Sequence, residues 1–133
     1  MEQRSGFNEN FGTVYAGSEN LPQNMFFDTS RSDIYIVDEK VKNYTGLSDY
    51  DPDKSKTSDT EGFAHPMDLQ YGRTKLKSVE YYDNICIKNN KRNSKIDPCV
   101  DTMAFGLISY VNGTFSASGI VGLAPGYTNS IIW

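Results

Sequence analysis

The sequence predicts an all-β fold, and two observations lead to this prediction. The 133 residues include 9 Tyr and 7 Phe, which occur with Val and Ile in short runs, a composition that favours strands over helices. These apolar runs are separated by turn residues, and no segment keeps a helical period over any length. The length corresponds to one domain or to a large part of one.

Several short segments are strand candidates, because each is rich in β-forming residues and is bounded by turn residues. In chain order they are residues 12–17, 24–27, 32–37, 69–71, 76–82, 85–87 and 104–111. In residues 33–36, Asp and Tyr alternate with Ile, which predicts a half-buried strand. Residues 115–124 form a final apolar run punctuated by glycine.

Polar segments separate these strands and predict turns and loops. Residues 18–22 are expected to form a turn, and residues 40–61, rich in Asp, Ser and Lys, a surface loop. Residues 88–95 are polar and basic, as expected of a solvated hairpin tip. Asn112-Gly113 follows a strand candidate and is a strong signal for a hairpin turn.

Charge and hydropathy exclude some classes of function. The 13 Lys and Arg against 17 Asp and Glu give a net charge of −4, which argues against nucleic acid or anionic membrane as the main partner. No apolar run approaches the ~20 residues of a membrane span. Residues 1–6 lack the apolar core of a signal peptide. His65 has no His or Cys near it in the sequence, so we interpret it as a surface or hydrogen-bonded histidine and expect no metal site.

Two cysteines and two sequons bear on the compartment. Cys86 and Cys99 lie at the base of a polar, hairpin-like excursion, which favours a disulfide, although free thiols in an apolar environment are the alternative. Asn43 and Asn112 begin glycosylation sequons. Together these features predict a secreted or lumenal, lysosomal-like protein whose leader is outside this chain.

Asp28 is the most informative polar residue, because it follows the apolar run Met25-Phe26-Phe27 and precedes Thr29. A carboxylate that ends a buried strand is costly to place unless hydrogen bonds hold it, so we interpret Asp28 as a functional residue. The alternative is a surface aspartate at a strand end. The expected core residues share alternating or wholly apolar strand positions; they are Phe26, Phe27, Ile34, Ile36, Leu107, Ile120, Val121 and Leu123.

The order of motifs resembles the N-terminal lobe of pepsin-like aspartic proteases. The similar segments are Phe11-Gly12-Thr13-Val14-Tyr15-Ala16-Gly17, Pro22-Gln23-Asn24, Phe27-Asp28-Thr29, residues 48–57, Leu69-Gln70-Tyr71-Gly72, Phe105-Gly106-Leu107 and Gly119-Ile120-Val121-Gly122-Leu123-Ala124. Each segment alone is weak evidence for the resemblance, but their shared order and nearly matching spacing are strong evidence. The resemblance implies a single pepsin-like lobe over residues 11–133, after an N-terminal extension at 1–10. It would have closed or partly open, barrel-like sheets and a flap hairpin.

The resemblance also implies a chemistry. Asp28 would be one of two carboxylates that share a proton around a bound water, without metal or cofactor. Thr29, Tyr71 and Gly72 would be substrate-binding positions, with the Thr29 hydroxyl bonded across a two-fold axis and Tyr71 closing the flap over a peptide or protein substrate. The alternative for Tyr71 is an ordinary cross-strand aromatic residue.

A single copy of the motif implies a partner. The other aspartates lack the apolar-Asp-Thr-Gly context, and the chain ends at 131–133 where this family would continue into a second lobe. The second carboxylate is therefore expected from a separate C-terminal lobe or from an identical chain in a symmetric dimer.

Some residues depart from the family pattern. Ser30 replaces a glycine, Arg31 replaces a serine beside the catalytic aspartate, and Tyr35 replaces a tryptophan. Thr74 stands where the flap tip would have glycine. These departures favour an alternative to an aspartic endopeptidase, namely a catalytically inactive binding or structural module, or an assembly subunit that pairs through exposed sheet edges.

Overall fold

The computed structural model describes residues 2–3, 10–41, 48–60, 65–87 and 99–124. Among them the regular elements are all strands, so the all-β prediction is confirmed. Within these ranges there is no helix of the length and apolarity needed to cross a membrane.

The strands of the described residues form one mixed sheet. They are β1 (Glu2–Gln3), β2 (Asn10–Ala16), β3 (Leu21–Asp28), β4 (Ile34–Val37), β5 (Leu69–Tyr71), β6 (Thr74–Cys86), β7 (Cys99–Asn112) and β8 (Gly119–Gly122). Their order in the sheet is β1-β2-β3-β8-β4-β7-β6-β5. A further pairing between β2 and β6 closes the strands from β2 around to β6 into a ring, as expected for a partly open, barrel-like lobe.

The position of β8 determines where Asp28 lies. β8 runs between β3 and β4, parallel to β3 and antiparallel to β4. Asp28 pairs with Gly122 at the last position of both strands. The connection from β3 to β4, residues 29–33, therefore passes around the end of β8.

Side chains on the two faces of these strands form two apolar clusters. One, here called the core cluster, includes Met25, Ile34, Ile36, Phe105 and Val121, with Phe27 and Leu123 partly buried against it. The other, here called the flap-side cluster, includes Phe11, Phe26, Tyr35, Val37, Phe115 and Ile120, with Leu69 and Tyr71 packed against it. Since successive strand residues point to opposite faces, both clusters draw on the same strands.

A strand forms within the predicted segment 32–37, but the prediction that it is half-buried is wrong. All residues of β4 are buried, because β4 lies between β7 and β8 and has an apolar cluster on each face. The predicted core residues are confirmed, with Phe27 and Leu123 the partly buried members.

Several element boundaries also differ from the predictions. The predicted turn at 18–22 ends earlier, since β3 begins at Leu21. The two segments predicted at 76–82 and 85–87 are one strand, β6, with an irregularity between Asp83 and Ile85. Asn112-Gly113 does not join a hairpin, because the next strand, β8, pairs with β3 and β4 instead of with β7.

The predicted surface loop is partly buried. Tyr50, Asp51 and Pro52 are buried, and the Tyr50 hydroxyl donates a hydrogen bond to Asp83 on β6 at 2.7 Å. Asp83 is itself fully buried. A polar segment can lie against the core in this way when a buried acceptor satisfies its donors.

The predicted disulfide is confirmed. Cys86 and Cys99 are directly opposed on β6 and β7 and are joined by a disulfide. The excursion at 88–98 and the sequon residue Asn43 lie outside the described residues. Asn112 is exposed at the end of β7, and its glycosylation stays a prediction.

We expect removal of the disulfide to lower the free energy of unfolding. Cys86 and Cys99 are 13 residues apart in sequence. A disulfide that closes a loop of this length lowers the conformational entropy of the unfolded chain and so raises the free energy of unfolding by about 3 kcal/mol. Urea denaturation of the Cys86→Ala/Cys99→Ala variant measures the loss, with reduced wild-type protein as the matched control. Equal stability of the oxidised wild type and the double variant would contradict this expectation.

Candidate functional site

Asp28 is the last residue of β3, and its side chain is only 16% exposed. The Ser30 amide and hydroxyl donate hydrogen bonds to Asp28 Oδ1 at 2.9 and 2.6 Å. Arg31 Nε donates to Asp28 Oδ2 at 3.1 Å. Both carboxylate oxygens therefore have donors from the two residues that the sequence marks as departures from the family pattern.

The loop that carries these donors is fixed against β8. The amides of Gly122, Leu123 and Ala124 donate to the carbonyl oxygens of Asp33, Asp28 and Arg31 at 2.8–2.9 Å. This series of bonds holds both ends and the middle of the 28–33 segment.

Gly122 allows the backbone of the 28–33 segment to lie directly against β8. A Cβ at this position would lie 2.5 Å from the Arg31 carbonyl oxygen and 2.7 Å from the Asp33 amide nitrogen. Neither backbone atom can move without breaking the hydrogen bonds between the loop and β8. The glycine of the apolar β8 motif is thus needed to place Asp28.

The surroundings of Asp28 stabilise its charged form. Burial raises the pKa of the carboxyl, but the hydrogen bonds from Ser30 and the positive charge of Arg31 outweigh burial. The net result is a pKa below the ordinary value for an aspartate. In the chain by itself, Asp28 is therefore ionised down to more acidic pH than a free aspartate.

A hairpin formed by β5 and β6 lies beside this carboxylate, which confirms the predicted flap hairpin. Its turn consists of Gly72 and Arg73, and Gly72 has a φ of 64°, in the left-handed region that favours glycine. Thr74, expected at the flap tip, is instead the first residue of β6 and pairs with Tyr71. Thr74 has no positive φ, so a glycine is not required there.

Tyr71, the last residue of β5 before the flap turn, is held by aromatic contacts. Its ring stacks on Phe26 at a centroid distance of 5.8 Å and meets the edge of Phe115 at 5.9 Å. These partners belong to the flap-side cluster, which lies on the other side of β3 from the core cluster. Tyr71 is therefore held against the flap-side cluster by two aromatic rings.

Arg31 connects the two parts of the site. Besides Asp28, its Nη2 donates to the carbonyl oxygen of Gln70 at 2.8 Å. Its guanidinium carbon lies 5.5 Å from the centroid of the Tyr71 ring. The sequence predicts that Arg31 lies beside Asp28, but it gives no sign of the contact with the flap, 39 residues away.

The remaining predicted positions lie around this centre. Thr29 is exposed in the turn after β3, and Gly72 is exposed at the flap tip. Tyr35 is buried in the flap-side cluster, and burial together with the charge of Asp33 raises its pKa. In the part of the chain that the structure describes, no group of His, Cys, Asp and Glu side chains is arranged to hold a metal ion.

Comparison with known families adds an independent finding. A family model described as eukaryotic aspartyl protease matches residues 9–131 of the 133-residue chain. The matched range includes Asp28, the flap hairpin and β8. No curated protein matches the chain.

Proposed function

The chain belongs to the eukaryotic aspartyl protease family, and on that premise we propose that it is an aspartic-type endopeptidase or the N-terminal half of one. The observation that carries the proposal is the position of Asp28. Its carboxylate ends β3 after the apolar residues 25–27, is oriented by Ser30, and is linked through Arg31 to the β5–β6 hairpin. A hydrogen-bonded carboxylate and a hairpin that share the contacts of Arg31 support this proposal.

The proposed reaction uses Asp28 with a second aspartate. Two carboxylates about 3 Å apart share one proton, since both cannot readily be ionised at that distance. The ionised carboxylate accepts a proton from a bound water as the water oxygen attacks the peptide carbonyl carbon. The protonated carboxyl donates its proton to the carbonyl oxygen, and proton transfer to the amine then allows the C–N bond to break.

The residues around Asp28 have supporting roles in this proposal. The Ser30 hydrogen bonds fix the orientation of the Asp28 carboxylate. Thr29 is exposed beside it, which suits a hydroxyl that pairs with a second lobe. Tyr71 and Gly72 would close over an extended peptide, which binds by strand-like contacts along the edge of the hairpin.

The partner and the compartment also remain proposals. The second carboxylate would come from a C-terminal lobe or from an identical chain. A secreted or lumenal location is supported by the Cys86–Cys99 disulfide, because such bonds persist in oxidising compartments.

One observation favours a second candidate, a catalytically inactive pepsin-like binding or assembly module. Arg31 lies within salt-bridge distance of Asp28 and favours the charged carboxylate. A working dyad needs a proton shared between two carboxyl groups, and a guanidinium at this distance opposes that sharing.

A cleavage assay on the complete protein distinguishes the two candidates. We expect cleavage of a mixed peptide library at about pH 3–5, blocked by a general aspartic-protease inhibitor and unaffected by a metal chelator. Peptide binding without inhibitor-sensitive cleavage, in protein that retains a second aspartate, would contradict the endopeptidase proposal and favour the inactive module.

A further inference from the structure

We propose that Arg31 is a positioning residue that ties the flap to Asp28, so that the flap opens freely only when the contacts of Arg31 are released. The contacts of Arg31 with Asp28, Gln70 and Tyr71, here called the clasp, belong to the fold of this lobe. The clasp applies to an active protease and to an inactive module alike, because it requires no second lobe and no reaction.

The geometry of Arg31 supports the clasp. One guanidinium makes three contacts, with Asp28 Oδ2 on one side and with the Gln70 carbonyl and the Tyr71 ring on the other. The first partner ends β3, and the other two belong to β5. A planar guanidinium with several donors can bridge two such elements at once, whereas the ammonium of lysine is a single point of charge.

The strand that carries the Gln70 carbonyl is short. β5 has three residues, and its strand pairing within the described part of the chain is with β6, through Leu69, Gln70 and Tyr71. The turn that follows, Gly72-Arg73, is exposed. The bond from Arg31 therefore satisfies a carbonyl on the edge of β5 that faces away from β6 and attaches that edge to the loop after β3.

The aromatic contacts of Tyr71 hold the same strand, so loss of Arg31 should loosen the flap without unfolding it. The stacking on Phe26 and the edge contact with Phe115 do not involve the guanidinium. A hydrogen bond from a charged group contributes enough to slow local opening by about tenfold or more. That difference is measurable by amide hydrogen exchange.

The clasp also connects the flap to the charge on Asp28. The groups that face this carboxylate are Ser30 and Arg31 from its own loop, and the nearest flap residues, Gln70 and Tyr71, carry no charge. Asp33 and Tyr35 lie close enough to interact with one another electrostatically, and Tyr35 also with Arg31. Neutralising Asp28 removes the ionic partner of Arg31 but leaves its bond to Gln70.

Hydrogen exchange of the β5 amides in the wild-type protein and four variants tests the clasp. We expect exchange about tenfold faster in Arg31→Gln, a smaller increase in Asp28→Asn, and no further increase in the double variant beyond Arg31→Gln. Arg73→Gln is the matched control, because it removes the same charge from the flap turn, and it should leave the β5 rates near wild type.

A second readout separates the clasp from a general loss of packing. NMR titration of the Asp28 carboxyl should show a higher pKa in Arg31→Gln than in wild type, and a pKa closer to wild type in Arg31→Lys. If Arg31→Gln does not fold, Arg31→Lys alone should show faster β5 exchange, because it keeps the charge and loses the bridge. Unchanged β5 exchange, additive effects in the double variant or an unmoved Asp28 pKa would each overturn the proposal.

Discussion

Replacement of Asp28 by asparagine in the complete protein should lower kcat by about 10³-fold or more. The amide cannot share a proton with a second carboxylate or accept one from water. It keeps an oxygen that can accept the hydrogen bonds from Ser30, so the loop at the end of β3 should stay in place. Its NH₂ group would face the Arg31 Nε donor, and only that contact is lost.

Steady-state kinetics on a peptide substrate measure this effect, with circular dichroism and thermal unfolding to confirm the fold. Asp49→Asn is the matched control, because Asp49 is exposed in the loop before Tyr50, and the same isosteric change there should leave kcat near wild type. Full activity of Asp28→Asn would remove the basis for assigning catalysis to this lobe.

A large effect on stability is expected at Asp83. This fully buried residue of β6 accepts hydrogen bonds from the hydroxyls of Tyr50, Ser55 and Thr57 at 2.5–2.7 Å, and from the amide of Asn84 at 2.7 Å. Asp83→Ala removes the acceptor of these donors and weakens the attachment of the 50–57 segment to β6. The free energy of unfolding should fall by about 3 kcal/mol.

Urea denaturation at neutral pH measures this loss. Asp101→Ala, on an exposed position of β7, is the control and should change stability by less than about 0.5 kcal/mol. Tyr50→Phe removes a single donor and should cost about 1.5 kcal/mol. Burial, followed by the hydrogen bond to Asp83, raises the pKa of Tyr50, so this hydroxyl is protonated and donates at the neutral pH of the measurement. A loss at Asp83 no greater than at Asp101 would contradict the anchoring role.

Local patterns predict the strands and the position of Asp28 well. The apolar run before Asp28 lies in β3 as expected. Met25 and Phe27 pack in the core cluster on one face of the strand, and Phe26 packs in the flap-side cluster on the other. Residue patterns also predict strands at 69–71 and 76–82, and the resemblance implies that they form the flap hairpin. These features depend on residues that are neighbours in the sequence.

Strand neighbours distant in the sequence are not predictable in this way. The turn signal at Asn112-Gly113 suggests a hairpin, whereas β8 pairs with β3 and β4 because its four residues are apolar and glycine-rich enough to be buried on both faces. The burial of Tyr50 depends on an acceptor, Asp83, that is 33 residues away. Hydropathy of a polar loop gives no sign of such a partner.

The same limit applies to the candidate site. The sequence identifies Asp28, Arg31 and Tyr71 separately, and the resemblance places the first and the last of them in one cleft. In the structure, the Arg31 guanidinium contacts Asp28, Tyr71 and the carbonyl of Gln70. These contacts depend on the path of the 29–33 segment around β8, which the sequence does not reveal.

The most direct test of the account is the structure of the complete protein with a peptide analogue that carries a hydroxyl in place of the scissile carbonyl. We predict that the Asp28 carboxylate and a second aspartate both lie within about 3 Å of that hydroxyl, beneath the flap. An analogue bound away from Asp28, with this carboxylate still paired to Arg31 and no second carboxylate beside it, would contradict the proposed aspartic-protease site.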